Sequence, residues 1–381
     1  MTTTTRDPWL LSRATDLWLF GGSTVAALLL LVVGSFTGDL RGPAPPWLFL
    51  LAVVGVDVGH VWATGWRVYA SRSDPSERTF LYATIPVAAY AVLVLAHAIS
   101  PALFWRLLAY TAVFHFVRQQ YGWVALYRKK NGEGEEADGS AARRIDTGTI
   151  YAATLAPLVY WHAHQPRAFS WFIAGDFVTG LPESAGTIAI ALFGISLVIY
   201  VAKEMLRARR GLPISWGKNL VMATTIVTWF LGIVVLNSDY AFTVMNVLVH
   251  GIPYFGLVLV TGRRSAAARV RSGETAAPGD RALASVLLFL LPLLLLAFLE
   301  EWGWDRAVWH EHARLFPGPR FTPGSLALTF LVPLLALPQA THYLLDGFLW
   351  RIHRRDGNEA VERTLPIERG PERGIPRMSA G

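Results

Sequence analysis

The sequence predicts an all-α fold: a polytopic integral membrane bundle of about ten transmembrane helices with both termini on the cytoplasmic side. Three observations predict it. Of 381 residues, 53% are hydrophobic and only 16% are charged. Apolar stretches of about 18 to 25 residues recur along the whole length, each long enough to cross a hydrocarbon core of roughly 30 Å. Lys and Arg gather in alternate connections, the asymmetry that sets orientation in a bilayer.

In chain order the spans fall near 17–36, 46–66, 79–99, 101–127, 147–164, 186–205, 219–237, 241–262, 282–299 and 325–350, with ends placed to within about 2 to 4 residues. The tail before the first, MTTTTRDPWLLSRATD, has no small-residue cleavage site, so that span reads as a retained helix. The N-terminal tail, the 67–78, 128–145, 203–218 and 263–281 connections and the C-terminal tail together hold 27 Lys and Arg, and the opposite set holds 6. By the positive-inside rule the rich set is cytoplasmic. The net charge of +7 is therefore a topology signal with some attraction to anionic lipid, and not a nucleic-acid footprint. The topology is that of a multi-pass protein of an inner, cytoplasmic membrane.

Residues 1–350 read as one transmembrane bundle domain and 351–381 as a basic, disordered cytoplasmic tail. The Gly-, Ala- and charge-rich 128–145 and 263–281 connections read as mobile linkers. The outer segments 165–185 and 300–324 carry Trp171, Phe172, Phe177, Trp302, Trp304 and Trp309, the composition of an aromatic belt or of a cap lying on the bundle. The two halves share no sequence repeat, so an inverted-repeat transporter draws no support from self-similarity.

Four histidines stand inside apolar runs: His60, His115, His250 and His342. Ionisable residues at membrane depth face the bundle interior and mark a site by default. Each has a polar partner one turn away on its own helix face: Asp57 with His60, Gln119 with His115, Asn246 with His250, Asp346 with His342. All four lie on even-numbered helices, which run in one direction. At about 1.5 Å per residue from the basic edge, His60 is roughly 10 Å deep, His342 about 14 Å, and His115 and His250 about 20 Å, so one shared layer is open to them.

Because the chain has no cysteine, a metal must take imidazole, carboxylate, amide or backbone oxygen. The four histidines are the expected ligands, with Asp57 and Asp346 as ligands, orienting groups or catalytic residues. Gln119 and Asn246 are expected beside the cofactor. Arg118, one turn from His115, pairs with Asp57 or Asp346, holds a headgroup or a propionate, or snorkels. Tyr254, four residues after His250, is a candidate proton donor. Pro253 is expected to kink the eighth helix, and Pro333 and Pro338 the tenth, opening room for a ligand. A second group, His97, His162, His164, His310 and His312, sits at the outer edge, where interfacial side chains beside Trp outweigh a surface metal.

At HFVRQQYGW and HYLLDGFLWR the chain resembles a broad group of uncharacterised bacterial multi-pass membrane proteins with a HYxxDxxxWR-type final helix. That likeness implies membership and no activity. Scattered intramembrane histidines on a bundle of this size are more distantly similar, in architecture only, to the Brp/Blh-type membrane carotenoid dioxygenases, in which histidines hold iron. No continuous motif of that family is present, so carotenoid cleavage is not implied. The leading expectation is a non-haem iron oxidoreductase or oxygenase acting on a lipid or isoprenoid-like apolar substrate, with an electron-donor protein as partner. The alternatives are a b-type haem electron-transfer protein, a proton-coupled transporter, and a scaffold whose polar pairs only fasten helices.

Overall fold

The computed structural model describes residues 7–71, 78–133, 139–275, 278–350 and 365. Among these the chain is 79% helical, without strands. Ten long helices follow one another: α1 Arg13–Thr37, α2 Pro46–Ala70, α3 Thr79–Ile99, α4 Pro101–Lys130, α5 Gly139–Ala163, α6 Glu183–Arg209, α7 Trp216–Val235, α8 Asp239–Arg271, α9 Val286–Trp309 and α10 Ser325–Leu349. Eight of them, all but α4 and α5, are long and apolar enough to cross a membrane. This is a membrane protein by the length and composition of its helices.

Local chemistry sets the helix ends. The Ser12 hydroxyl accepts from the Thr15 amide at the start of α1, and Gly38 ends α1 with φ +85°, a conformation that costs glycine little. Ser238 accepts from the Ala241 amide at the start of α8. Wide π-helical turns interrupt α2 over Phe49–Val58 and α8 over Thr243–Val247. Each lies just before a buried histidine, the setting in which such turns recur.

Prolines act as their chemistry requires in α10 and less than expected in α8. Between Pro333 and Pro338 the tenth helix breaks at Ala336, which has φ −80° and ψ −7°. Pro253 sits within a continuous helix.

The described parts of both expected linkers are largely helical, residues 134–138 and 276–277 lying outside the described residues. α4 runs on to Lys130 and α8 to Arg271, because SAAARVR and its flanks are good helix formers. Arg269 then pairs with Asp280 at 2.7 Å, and Ser71 donates to the same carboxylate at 2.9 Å. α9 also passes its expected end at 299 and carries Glu300, Glu301 and Trp304 into the interior. The other outer segment is a cap: Phe177 is buried, Trp171 meets Phe116 of α4 at 5.0 Å, and Asp176 accepts from three backbone amides. Of the C-terminal tail only Leu365 lies among the described residues, buried with Leu10, Trp123 and Tyr127.

Candidate metal centre

α2, α4, α8 and α10 each bring one histidine to a single point. Ligand atoms of His60, His115, His250 and His342 all lie within 4.8 Å of one another, and the four residues are 1 to 4% exposed. Their rings close a cycle: His60 to His250 at 4.8 Å, His250 to His115 at 5.1 Å, His115 to His342 at 4.5 Å and His342 to His60 at 4.7 Å. The four histidines picked from the sequence therefore meet.

Close backbone approach makes the meeting possible. A Cβ on Gly251 would stand 2.6 Å from Val56 Cγ1, 3.0 Å from the Val56 carbonyl and 3.4 Å from His60 Nδ1. Only glycine lets α8 lie this near α2, and the next residue back is His250. Phe116, one residue after His115, stacks on the His250 ring at 3.6 Å and 7°. The stack fixes the plane of His250.

Neighbouring groups orient two of the rings. His60 Nδ1 donates to the Val56 carbonyl at 3.2 Å, with Asp57 Oδ1 at 3.7 Å, so Nε2 carries the lone pair. His342 Nδ1 lies 2.7 Å from Thr64 Oγ1, Thr64 Oγ1 lies 2.5 Å from the Tyr254 hydroxyl, and Tyr254 donates to Asp346 Oδ1 at 2.6 Å. With Tyr254 spent on Asp346, the chain of donors runs from His342 through Thr64, and His342 Nε2 keeps its lone pair for the cluster. That atom is 3.1 Å from His115 Nε2.

The cluster is not satisfied within itself. His60 Nε2 and both nitrogens of His250 have no hydrogen-bond partner, although they are buried. A buried, unpartnered polar atom costs about 1 to 3 kcal/mol, so three on two adjoining rings mark a place suited to a ligand. Metal–imidazole bonds are about 2.0 to 2.1 Å, which puts neighbouring donors about 3 Å apart and opposite ones about 4.2 Å apart. The 3.1 Å pair already has that spacing, and the widest pair must close by about 0.6 Å. The donor set is all nitrogen and uncharged, with Asp346 and Asp57 nearby to balance a cation.

Tyr254, Asp57 and Asp346 thus adjoin the cluster. Arg118 does not: its side chain is exposed, donates to the Tyr151 hydroxyl at 2.5 Å and lies over Tyr121 at 4.7 Å, so it pairs with neither Asp57 nor Asp346. Arg118 lies only about 60° round α4 from His115, and its long side chain turns outward to Tyr151 of α5. Gln119 is half-buried and its amide has no partner. Asn246 is buried with Oδ1 pressed against α7, 2.1 Å from where a Gly232 Cβ would be.

Three of the outer histidines find separate local partners, while Nδ1 of His97 and of His310 is buried without one. His162 and His164 each bond the carbonyl four residues back, and His312 stacks on Phe49. Among the described residues, the four-histidine group is the one set of three or more such ligands arranged to hold a metal. Thr64, Phe116, Gly251 and Glu300 were not singled out from the sequence. Thr64 carried a signal, lying one turn after His60 on the same face, and so did the paired carboxylates that end LLLLAFLEEW.

No protein-family model, characterised protein or solved structure matches the chain.

Proposed function

We propose that the four-histidine cluster holds a metal ion, non-haem iron, and that the protein is a membrane oxidoreductase or oxygenase acting on an apolar substrate drawn sideways from the bilayer. One observation carries the reading: four buried imidazoles, two of them with ring nitrogens that lack partners, bring ligand atoms within 4.8 Å of one another. Imidazole with nearby carboxylate and no sulfur suits iron, manganese or zinc, and iron with open positions supplies the oxidising chemistry that an apolar substrate needs. Four imidazoles in mutual contact, one of them under Phe116, favour a bare ion over haem, which requires a porphyrin-wide slot between axial rings.

The protein's own groups have definable parts. Val56 and Thr64 fix the faces that His60 and His342 present. Asp346 supplies negative charge through Tyr254 and Thr64, and Tyr254 holds a proton one hydroxyl away from His342. Burial keeps bulk water from the centre. Electrons are expected from a partner protein, and the surrounding bilayer is the bacterial inner membrane.

Elemental analysis of the purified protein with its visible spectrum tests the proposal. The expected result is about one iron per chain, no Soret band, and loss of the metal in the His115→Ala/His250→Ala double variant. A correctly folded protein that binds no metal, or a double variant with unchanged metal content, overturns it. The direct His115 to His342 contact would then be helix fastening.

A further inference from the structure

A cavity of about 670 Å³ lies between α2, α3, α9 and α10 and has His342 in its wall. Its volume is in the range of pockets that hold small molecules. Leu296, Leu299 and Leu334 line it and are also 37%, 51% and 51% exposed. In a membrane-spanning bundle those faces meet lipid tails, so the cavity opens into the bilayer. Pro338 and Pro86 also line it, and the Ala336 break of α10 lies between its lining residues Leu335 and Leu337. The break that proline imposes opens this space beside the histidines.

The inner wall is polar at a few points. Thr64 and His342 belong to the cluster. Glu300 is 7% exposed, its Oε2 accepts from Trp62 Nε1 at 2.8 Å, and its Oε1 has no partner. Thr341, 9% exposed, likewise has a buried hydroxyl without a partner. Two buried oxygen groups left open in an apolar pocket specify the polar end of a ligand.

We propose that this cavity binds a long-chain alcohol from the bilayer, with the hydroxyl on Glu300 and Thr341 and the chain lying toward the lipid-facing leucines. A hydroxyl both donates and accepts, which matches an open carboxyl oxygen and an open threonine hydroxyl together. A fatty-acid carboxylate has no proton to give the open Glu300 oxygen, so two acceptors would face each other. An alkane leaves both oxygens unsatisfied, and an ammonium brings three donors to two oxygens, leaving an N–H unsatisfied in an apolar pocket. The alcohol's role as substrate rests on the metal reading; its binding does not.

The test uses the full chain in phosphatidylcholine nanodiscs with radiolabelled hexadecanol, hexadecane, hexadecanoate and hexadecylamine. Hexadecanol should bind saturably, at about one per chain, and about tenfold tighter than hexadecane, as one hydrogen bond to a carboxyl predicts. Glu300→Ala should erase that preference, and Glu300→Gln, which keeps an acceptor oxygen, should retain most of it. Ala83→Trp, a plug on a lipid-facing residue of the cavity wall, should block hexadecanol while size-exclusion behaviour and metal content stay as in the wild type. Equal binding of alcohol and alkane, tighter binding of the acid or the amine, or hexadecanol binding unaffected by the plug overturns the proposal. The His115→Ala/His250→Ala variant separates the two readings: it should lose metal and keep hexadecanol. Binding in a wild type that holds no metal would sink the metal reading and leave this one standing.

Discussion

Two clusters of buried polar side chains divide this bundle, and they are built on opposite rules. Where α4 to α7 meet, Arg128, Lys203 and Lys218 interlock with Glu133, Asp146 and Glu204. Arg128 and Lys203 each pair with Asp146, Lys218 bonds Glu133 at 2.7 Å and Glu204 at 2.9 Å, and Arg128 bonds Glu133 at 3.1 Å. Three cations face three anions. In the histidine cluster four neutral rings face one another, and three ring nitrogens have no partner. The first cluster is balanced in charge, with one Glu133 oxygen left unpartnered, and fastens helices. The second is chemically incomplete, which is what distinguishes a site from a staple.

The contrast is open to breakage, most severely at the ionic cluster. Lys218→Met leaves buried carboxylates facing one another and should cost about 3 to 5 kcal/mol, read as a lowered midpoint in denaturant titration of the detergent-solubilised protein. A shift under about 1 kcal/mol would mean that water, not Lys218, satisfies those acids. Thr64→Val removes the group that orients His342 and should weaken metal binding about 10- to 100-fold and, by stranding the His342 Nδ1 proton, lower metal-free stability by about 1 to 3 kcal/mol; competition with a chelator measures the affinity, and an unchanged affinity removes Thr64 from the centre. Gly251→Ala should act in the same direction, because its methyl meets Val56 and pushes His250 away from His60. A metal affinity equal to that of the wild type would show that α2 and α8 tolerate separation.

The smallest effect is the most diagnostic. His250→Phe keeps the aromatic stack on Phe116 and removes two unpartnered nitrogens, so the metal-free protein should gain about 1 kcal/mol while losing its response to added metal. An equivalent apolar replacement in the ionic cluster can only destabilise. Measured loss of stability in metal-free His250→Phe would show that the ring nitrogens do have partners, and the contrast would collapse.

Much of the fold was legible in the sequence. Hydropathy length marks eight helices, and the ten predicted spans each fall within or closely overlap one of α1 to α10, since burying backbone polar groups in lipid leaves helices as the available structure. The missed boundaries share a cause. The sequence reading ended α9 at 299 and α4 and α8 near the first charges, but Glu300, Arg128 and Arg269 are each held by a partner outside their own helix, which a window on one helix does not weigh. Arg118 failed in the other direction, because a long side chain one turn from His115 still reaches outward, to Tyr151 and Tyr121.

By itself the sequence determined which side chains are expensive: four histidines and their one-turn partners in apolar surroundings, no sulfur to compete with them, and prolines able to break a helix above His342. Their chemistry and spacing are local properties, so composition and periodicity suffice. Only the tertiary structure decided that the four imidazoles touch, that Asn246 and Arg118 face elsewhere, and that Thr64, Gly251 and Glu300 complete the neighbourhood. Those outcomes depend on rotation and close approach between helices up to 282 residues apart in sequence, as Thr64 and Asp346 are, and glycine contacts and π-helical turns set that rotation in ways no single segment encodes.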